Sequence, residues 1–405
     1  LAHKSYQEII WAEDGFPPLY HLLLRPLLQV AGDDTARWPS VLFGIATCAA
    51  VAAIGFHCGG PELATWSTLL AAMLPLWVWH SQEARSYGLT LCCGAWSIWA
   101  TLRLLDTPSS RGWPWLVFLG SALAGLYSHY FFFILVVMLG IRLAIGADRL
   151  PWRQLLIPAG IGIVGSLPLL ALVSQDFQTQ ATWPDRQAFN VTSLGFSYFS
   201  LVGGFTLGPS VDDLHVMSNS RALSAFAPWI ATMTVILGSL AGFLIRKPSR
   251  WPRHAKFLGV LFSGVVVVGL IANAAGVGYE VRYPFWVGVP FAILGGAALS
   301  FAWQRPLGRV AGIALFGIMA LALANRFTLA RYANPDMRSV AATLDSQGAP
   351  GDTVIVLSGY MEPVLRYYSP NAQWHSRRMP RLTPPHDRLP TIQGLVREHV
   401  DVGAP

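Results

Sequence analysis

Long apolar runs separated by short polar stretches dominate the chain between residues 38 and 325. A helix needs about 20 predominantly apolar residues to cross the hydrocarbon core of a bilayer. The runs at 113–127 and 131–145 are separated only by Ser128, His129 and Tyr130, so the division between them is less sharp than elsewhere. The pattern predicts ten membrane-spanning helices, at 38–56, 63–79, 88–105, 113–127, 131–145, 154–173, 226–245, 257–275, 284–303 and 309–325.

Two regions outside these spans have other patterns. The apolar patch at 191–205 is shorter than a span, which favours an interfacial or re-entrant helix. In the more polar tail, Asn334, Pro335 and Asp336 predict a helix start, with Asn334 as the cap and Pro335 at the first helical position. A turn at 350–352, a buried strand at 353–357 and a second helix through 360–368 are predicted to follow.

These elements predict an all-α polytopic membrane protein with a small α/β cap at its C-terminus. The chain would have about ten spans, or eleven if a further span precedes Leu1. The predicted domains are a transmembrane domain at 1–325 and an extracytoplasmic cap at 326–405. The predicted outer loops of the first domain are 1–37, 80–87, 174–225 and 276–283.

Basic residues are concentrated in alternate connections between the spans. Cytoplasmic loops of membrane proteins carry an excess of Lys and Arg. We therefore expect these connections to face the cytoplasm, with the cap on the outer side of the plasma (inner) membrane. Twelve basic and three acidic residues lie in these connections, against sixteen and eighteen elsewhere, and the connections are 57–62, 103–112, 142–153, 246–256 and 304–309.

Composition narrows the possible classes of protein. Apolar residues make up 53% of the 405 residues and charged residues 12%, which excludes an ordinary soluble domain and a disordered chain. The formal net charge of +7 is weak support for nucleic-acid binding, and we expect no nucleic-acid partner, because the charge follows membrane orientation. No nucleotide-binding glycine motif occurs, and the four cysteines have neither metal-ligand spacing nor a disulfide pattern.

Ionisable and aromatic polar residues gather on the side predicted to be outer. Such residues at membrane depth are costly and mark functional sites. Each has a structural alternative when taken alone: tyrosines anchor span ends, Arg282 could snorkel, and Glu83 and Arg85 could be solvated loop residues. Their joint location on one side favours a site. The group comprises Glu8, Glu13, Asp14, Tyr20, His21, His80, Glu83, Arg85, Tyr87, His129, Glu280, Arg282 and Tyr283.

Five short motifs occur in order along the chain. They are Pro-Pro-Leu-Tyr at 17–20, Arg-Trp-Pro-Ser at 37–40, Ser-Gln-Glu-Ala-Arg-Ser-Tyr at 81–87, Tyr-Ser-His at 127–129, and Arg-Tyr at 282–283 followed by Pro290. This ordered set resembles bacterial membrane glycosyltransferases of the glycosyltransferase C fold, relatives of dolichyl-phosphate-mannose protein mannosyltransferases and aminoarabinose transferases. The tail, with its Pro-Gly-Asp turn, resembles the outer cap of many members.

The resemblance implies an enzyme of the lipid bilayer that transfers a hexosyl or pentosyl group from a polyprenyl-phosphate sugar to a glycan, lipid or protein acceptor. The acceptor would attack the anomeric carbon at the outer face, with inversion. A carboxylate must take the acceptor's proton, and cationic groups must stabilise the departing phosphate. A lipid-phosphate donor agrees with the lack of a nucleotide-binding motif.

The motif positions imply roles for individual residues. Arg85 and Arg282 would hold the phosphate, because a guanidinium group binds phosphate through two parallel hydrogen bonds. Glu83 would orient Arg85 or position the acceptor. No cofactor is required by any pattern; outer-loop carboxylates could hold a divalent metal, but no metal site is predicted. The catalytic candidates are Glu83 and Arg85, and the substrate-binding candidates are Tyr20, Tyr87, His129, Arg282 and Tyr283, with His80 as a weaker one.

The sequence departs from the family pattern near its beginning. The family's His before Pro-Pro is Phe16 here. The acidic pair that supplies the family's catalytic Asp, just after its first span, has no well-placed match. We expect that pair upstream of Leu1, in a chain truncated at its N-terminus. Glu13 and Asp14 are weak substitutes, since they lie too close to Pro17.

Two other classes of function remain open on sequence grounds. A transporter or flippase for a lipid-linked glycan would share the spans, but it would place ionisable residues near the bilayer midplane, and the mid-span positions here are nearly free of charge. A catalytically inactive relative acting as a scaffold would explain the missing acidic pair. An O-antigen polymerase or ligase is a neighbouring enzymatic alternative with different loop motifs.

Overall fold

Helices make up most of the chain that the structure describes. The computed structural model describes residues 4–11, 17–107, 112–146, 152–181, 188–210, 213, 217, 219–333, 336–356 and 361–378. The α-helices in these ranges are α1 (Tyr6–Ile10), α2 (Leu19–Ala31), α3 (Trp38–Met73), α4 (Pro75–Ser81), α5 (Tyr87–Asp106), α6 (Trp113–Leu126), α7 (Phe132–Ile145), α8 (Trp152–Ala181), α9 (Val191–Gly203), α10 (Asn219–Ile245), α11 (Ala255–Phe262), α12 (Gly264–Ala274), α13 (Gly288–Ala302), α14 (Pro306–Thr328), α15 (Met337–Gln347) and α16 (Glu362–Tyr368). The strands are β1 (Thr353–Val356) and β2 (His375–Arg378).

The first of two compact units contains residues 1–181 and 187–332. Its described part has seven helical segments long and apolar enough to cross a membrane, and three shorter apolar helices. The predicted spans coincide with these segments, and the patch at 191–205 forms the 13-residue helix α9. The prediction of an all-α polytopic membrane protein is confirmed.

α3 contains the turn between the first two predicted spans. Gly60 has a φ of 82°, in the left-handed region that favours glycine, and Pro61 follows it. The backbone of Ala64 lies against Gly55, at a separation that a straight helix would make about 13 Å. The chain after Gly60 therefore returns alongside the chain before it, as a helical hairpin without a loop.

α5 forms the centre of the first unit. Of its apolar window, 83% is buried, whereas only 17% is buried in α8 and in α10. The Ser97 hydroxyl of α5 bonds the Ser121 hydroxyl of α6 at 2.7 Å, which satisfies two polar groups inside the bundle. The exposed apolar side chains of α8 and α10 form the surface that a bilayer would solvate.

The second unit contains residues 182–186 and 333–405. Its helix α15 begins at Met337, and the Asp336 side chain caps it by accepting a hydrogen bond from the Ser339 backbone at 3.1 Å. The cap is therefore Asp336 rather than the predicted Asn334; Asn334 and Pro335 lie outside the described residues.

A parallel pair of strands completes the second unit. Thr353 of β1 pairs with His375 of β2, and α16 lies between the strands in the chain, which is the connection that parallel pairing requires. The Trp374 indole is buried and donates a hydrogen bond to Asp345 at 3.0 Å. The apolar core of the unit consists of Ala341, Val356, Leu365 and Trp374.

Close helix packing in the first unit can be tested at one glycine. A Cβ atom added at Gly296 of α13 would lie 2.7 Å from the backbone nitrogen of Ser67 in α3, whereas one added at Gly317 of α14 would meet nothing within 4 Å. We expect Gly296→Ala to destabilise the protein by about 1–3 kcal/mol through overpacking. Gly317→Ala should be neutral or slightly stabilising. Thermal unfolding midpoints in detergent measure both, and equal midpoints would contradict the packing described.

Candidate functional site

The loop between α4 and α5 places a carboxylate at one end of the bundle, the Tyr87 end of α5. Glu83 Oε1 accepts a hydrogen bond from Trp79 Nε1 at 2.9 Å, and its Oε2 lies 2.9 Å from His80 Nδ1. Trp79 and His80 precede Glu83 by four and three residues, the spacing of one helical turn. One turn of α4 therefore holds both carboxylate oxygens. We call Trp79, His80 and Glu83 the Glu83 cluster.

Electrostatics fix the protonation states in the Glu83 cluster. Burial alone would raise the pKa of Glu83, but the hydrogen bonds from His80 and Trp79, with the charge of Arg85, outweigh it and lower the pKa. Burial is also the largest effect on His80, and it lowers the pKa of that imidazole despite the nearby carboxylate. The arrangement is therefore a charged Glu83 bonded to a neutral His80 whose Nδ1 carries the proton.

Arg326 lies against the Glu83 cluster, although the sequence pattern did not single it out. Its guanidinium group lies 3.3 Å from the centre of the Trp79 ring, and it interacts electrostatically with Glu83. Its Nε is buried and has no hydrogen-bond partner among the described residues. The available signal was a basic residue in the last turn of the final span, at the end predicted to carry few positive charges.

Arg282 lies over the ring of Tyr87 at the same end of the bundle. Its guanidinium carbon is 5.3 Å from the ring centre, and one of its terminal nitrogens pairs with Glu280. Tyr87 is fully buried, whereas Arg282 keeps 26% of its side chain exposed. Arg282 Nε is buried and has no hydrogen-bond partner among the described residues, so it is a donor that a ligand oxygen could satisfy.

His129 and Tyr283 form the aromatic side of the site. Their ring centres are 5.5 Å apart, and Tyr283 stacks on Phe131 at 4.3 Å. His129 sits at the break between α6 and α7, where its Nδ1 accepts a hydrogen bond from the Phe131 backbone at 3.3 Å. Burial, with the positive charge of Arg282, lowers the pKa of His129 to about 3, which keeps this imidazole neutral.

Tyr20 of the motif at 17–20 is linked to the backbone of Arg85 in the motif at 81–87 through Ser40. The Tyr20 hydroxyl is buried and lies 2.7 Å from the Ser40 hydroxyl, which donates to the backbone oxygen of Arg85 at 3.4 Å. Three of the five motifs thereby meet through one hydrogen-bond chain. The Arg85 side chain is exposed, and no ion pair within 4.0 Å joins it to Glu83. The orienting contact of Glu83 is with His80 and Trp79 instead.

The structure thus gathers most of the candidate residues at the Tyr87 end. Tyr87 contacts His80, whose ring centre is 4.9 Å away, and His129, at 6.2 Å. Glu13 and Asp14 lie outside the described residues. Two cavities, of about 530 and 650 Å³, lie elsewhere, near the Asp106 end of α5, and residues of the Glu83 cluster line neither of them. The gathered candidates are Glu83, Tyr87, His129, Arg282 and Tyr283.

Comparison with known proteins identifies a structural likeness. No protein-family model matches the chain, and no curated protein matches its sequence. The crystal structure of ArnT from Cupriavidus metallidurans in the apo state matches it with a TM-score of 0.56, over 91% of this chain and 76% of that chain, at 14% sequence identity. ArnT is an aminoarabinose transferase with the glycosyltransferase C fold. The resemblance seen in the motifs is thereby confirmed at the level of the fold.

The buried His129 predicts a specific dependence of stability on pH. An unfolded histidine titrates near pH 6.5. Below that pH the unfolded chain binds a proton that the folded protein does not bind until about pH 3, so stability falls as the pH decreases through this window. Between pH 7 and pH 5 the effect amounts to about 2 kcal/mol.

We expect His129→Asn, which cannot titrate, to lose less thermal stability than the unsubstituted protein between pH 7 and pH 5. His375→Asn, at an exposed histidine of β2, is the control and should lose as much as the unsubstituted protein. Unfolding midpoints at the two pH values measure the difference. An identical loss in all three proteins would show that His129 is not held neutral.

Proposed function

We propose that this protein is an integral membrane glycosyltransferase, which moves a hexosyl or pentosyl group from a polyprenyl-phosphate donor to an acceptor at the outer face of the plasma membrane. The observation that carries the proposal is the excess of guanidinium groups at the Tyr87 end of an ArnT-like bundle. Arg85, Arg282 and Arg326 outnumber the two carboxylates beside them, Glu83 and Glu280. An anionic ligand would neutralise this excess of positive charge.

The lipid phosphate is the ligand that fits this excess of positive charge. Its polyprenyl chain would remain in the bilayer while its phosphate reaches the arginines. Arg282 is the principal contact in this proposal, because its partly exposed guanidinium group has a buried Nε donor without a partner among the described residues. Guanidinium groups bind phosphate oxygens through parallel, charge-assisted hydrogen bonds. Arg326 and Arg85 would add positive potential around the same phosphate.

The aromatic residues beside Arg282 are suited to contact the sugar of the donor. Tyr87, His129 and Tyr283 present ring faces and edges beside Arg282. Aromatic rings pack against the apolar C–H faces of a sugar, and Tyr and His side chains also carry hydrogen-bonding groups. Tyr20 would act through Ser40 on the backbone at Arg85, and so holds the loop rather than the substrate.

Glu83 suits a positioning role in this reaction. Both of its oxygens already receive protein donors, and its lowered pKa makes it a poor proton acceptor. It would hold Trp79 and thereby Arg326, which lies over that ring. The proton-accepting carboxylate of the reaction is assigned to none of the described residues.

The reaction itself is a substitution at the anomeric carbon. A bond forms between the acceptor oxygen or nitrogen and the anomeric carbon as the bond from that carbon to the phosphate oxygen breaks. The electron pair leaves with the phosphate, whose growing negative charge the arginines would stabilise. The acceptor's proton passes to a carboxylate base.

The placement of charge supports an enzyme over a transporter. In the described spans the charged residues occupy first or last turns, as Arg221, Arg309 and Arg326 do, or the hairpin turn, as Glu62 does. Transporters place their ionisable residues near the bilayer midplane. The site at the Tyr87 end is therefore suited to chemistry at one surface.

Transfer can be measured with the purified protein in proteoliposomes, using a panel of hexosyl and pentosyl polyprenyl phosphates and a glycolipid extract as acceptor. We expect release of polyprenyl phosphate with at least one donor. Arg282→Ala should lower the rate by about 100-fold or more, because removing one preorganised donor to developing charge costs that much. Arg282→Lys should recover part of the rate, since it keeps the charge and loses the fork.

Arg246→Ala is the matched control, because Arg246 is an exposed arginine that follows the last residue of α10 and takes no part in the site. It should keep the full rate. Movement of intact donor across the bilayer without release of polyprenyl phosphate would contradict the proposed glycosyltransferase activity and indicate a flippase. Full activity of Arg282→Ala would overturn the assignment of Arg282.

A further inference from the structure

A second polar cluster lies at the opposite end of α5, far from the Glu83 cluster. It contains His57, Asp106 and His254, and their nearest ligand atoms all lie within 4.8 Å of one another. His57 Nε2 is 2.9 Å from Asp106 Oδ2, and His254 Nε2 is 3.1 Å from Asp106 Oδ1. Two imidazoles and a carboxylate thus converge on one point from separate elements.

We propose that His57, Asp106 and His254 form a binding site for a divalent transition metal ion, with Zn²⁺ as the ion that fits best. Imidazole nitrogen and carboxylate oxygen are ligands of zinc, at about 2.0–2.2 Å. Atoms bound at that distance in tetrahedral geometry lie about 3.3 Å apart. The two nitrogen–oxygen separations in the cluster, 2.9 and 3.1 Å, are close to that value.

The orientation of the imidazoles supports a metal over a simple ion pair. Both Nε2 atoms are buried, and neither makes a hydrogen bond of acceptable geometry, although a carboxylate oxygen lies about 3 Å away. An imidazole nitrogen directs its proton or lone pair along one line in the ring plane. The carboxylate oxygens therefore leave both Nε2 atoms unsatisfied, and a bound ion would satisfy them. The side chain of His57 is nine-tenths buried, which makes an unsatisfied nitrogen costly there.

The backbone explains how three distant residues meet. His57 lies in the last turn of α3 before the reversal at Gly60, and Asp106 is the last residue of α5. His254 caps α11 with a φ of 64°, the only left-handed non-glycine residue in the described chain. The hydrogen bond from the Arg253 backbone to the Cys58 carbonyl, at 2.8 Å, already fastens this connection to the hairpin. A metal ion would join the hairpin turn, α5 and the start of α11.

Arg253 is the competing ligand of Asp106. Its guanidinium group lies 2.9 Å from Asp106 Oδ2, and 61% of its side chain is exposed. An exposed ion pair contributes little to stability, so Arg253 can leave the carboxylate at little cost. A carboxylate also has enough lone pairs to bind an ion and keep one guanidinium bond. Substitution of Arg253 therefore separates the metal site from a purely structural ion pair.

The test uses the 405-residue protein purified in detergent with a tag that contains no histidine. The protein is dialysed against Zn²⁺ and then against metal-free buffer, and bound zinc is measured by plasma mass spectrometry. We expect about one zinc per chain, and a rise in the thermal midpoint on adding Zn²⁺. His57→Gln, His254→Gln and Asp106→Asn should each weaken zinc binding at least tenfold, since losing even an outer-shell contact costs 10- to 100-fold.

Two control variants distinguish a specific zinc site from non-specific zinc binding and from a purely structural ion pair. His375→Gln removes an exposed histidine of the second unit and should keep the zinc. Arg253→Gln removes the competing guanidinium and should keep or strengthen zinc binding. If the unsubstituted protein retains no more zinc than the His57→Gln/His254→Gln double variant, the proposal is wrong. It is equally wrong if Arg253→Gln and Asp106→Asn lower the thermal midpoint alike and zinc shifts neither the unsubstituted protein nor the variants.

Discussion

The half-buried carboxylate of Glu83 is the constraint on which the rest of the site depends. A charge at the end of an apolar bundle persists only where donors replace the water it has lost. Here a single turn of α4 supplies both donors, Trp79 and His80, and that turn exists because Pro75 restarts the helix after the break at Leu74. The Trp79 ring that serves Glu83 through its N–H also carries Arg326 on its face. One carboxylate therefore orders an indole, an imidazole and a guanidinium group.

Both ends of α5 hold charged and polar groups beside an apolar bundle, but the groups differ. At the Tyr87 end, arginines outnumber carboxylates and aromatic rings fill the space between them, which suits an anion with an apolar tail. At the Asp106 end, two imidazoles meet one carboxylate, which suits a small cation. Between them α5 is almost fully buried and its inward polar groups are hydroxyls that bond within the bundle. Charge is thereby kept at the two ends, where function is proposed.

The sequence predicted the helices well because apolar length is a local property. The span predicted at 88–105 is α5 within one residue at each end, and the reversal near residue 60 follows from glycine and proline. Helix starts were less predictable: α15 is capped by Asp336 because its side chain reaches the Ser339 backbone, a geometric choice that composition does not decide. The motif at 81–87 likewise located Glu83 but not its hydrogen-bond partners. The motif suggested a pairing with Arg85, whereas the structure pairs Glu83 with Trp79 and His80.

The sequence pattern did not predict contacts between residues that are distant in the chain. Arg326 and Trp79 are 247 residues apart in the chain, and His57 and His254 are 197 residues apart, so only helix packing brings each pair together. A sequence also cannot show that the Nε atom of Arg282 lacks a hydrogen-bond partner within the part of the chain that the structure describes. The sequence could therefore identify individual candidate residues, whereas it could not show which of them contact each other in the folded protein.

The most direct test of the central claim is whether the Tyr87 end binds a lipid phosphate. Native mass spectrometry of the purified protein, titrated with polyprenyl phosphate or with the corresponding polyprenol, compares two ligands that differ only in the phosphate. The account predicts that the unsubstituted protein retains the phosphate at least tenfold better than the alcohol, and that Arg282→Ala removes this preference. Equal retention of the two lipids by the unsubstituted protein would contradict it.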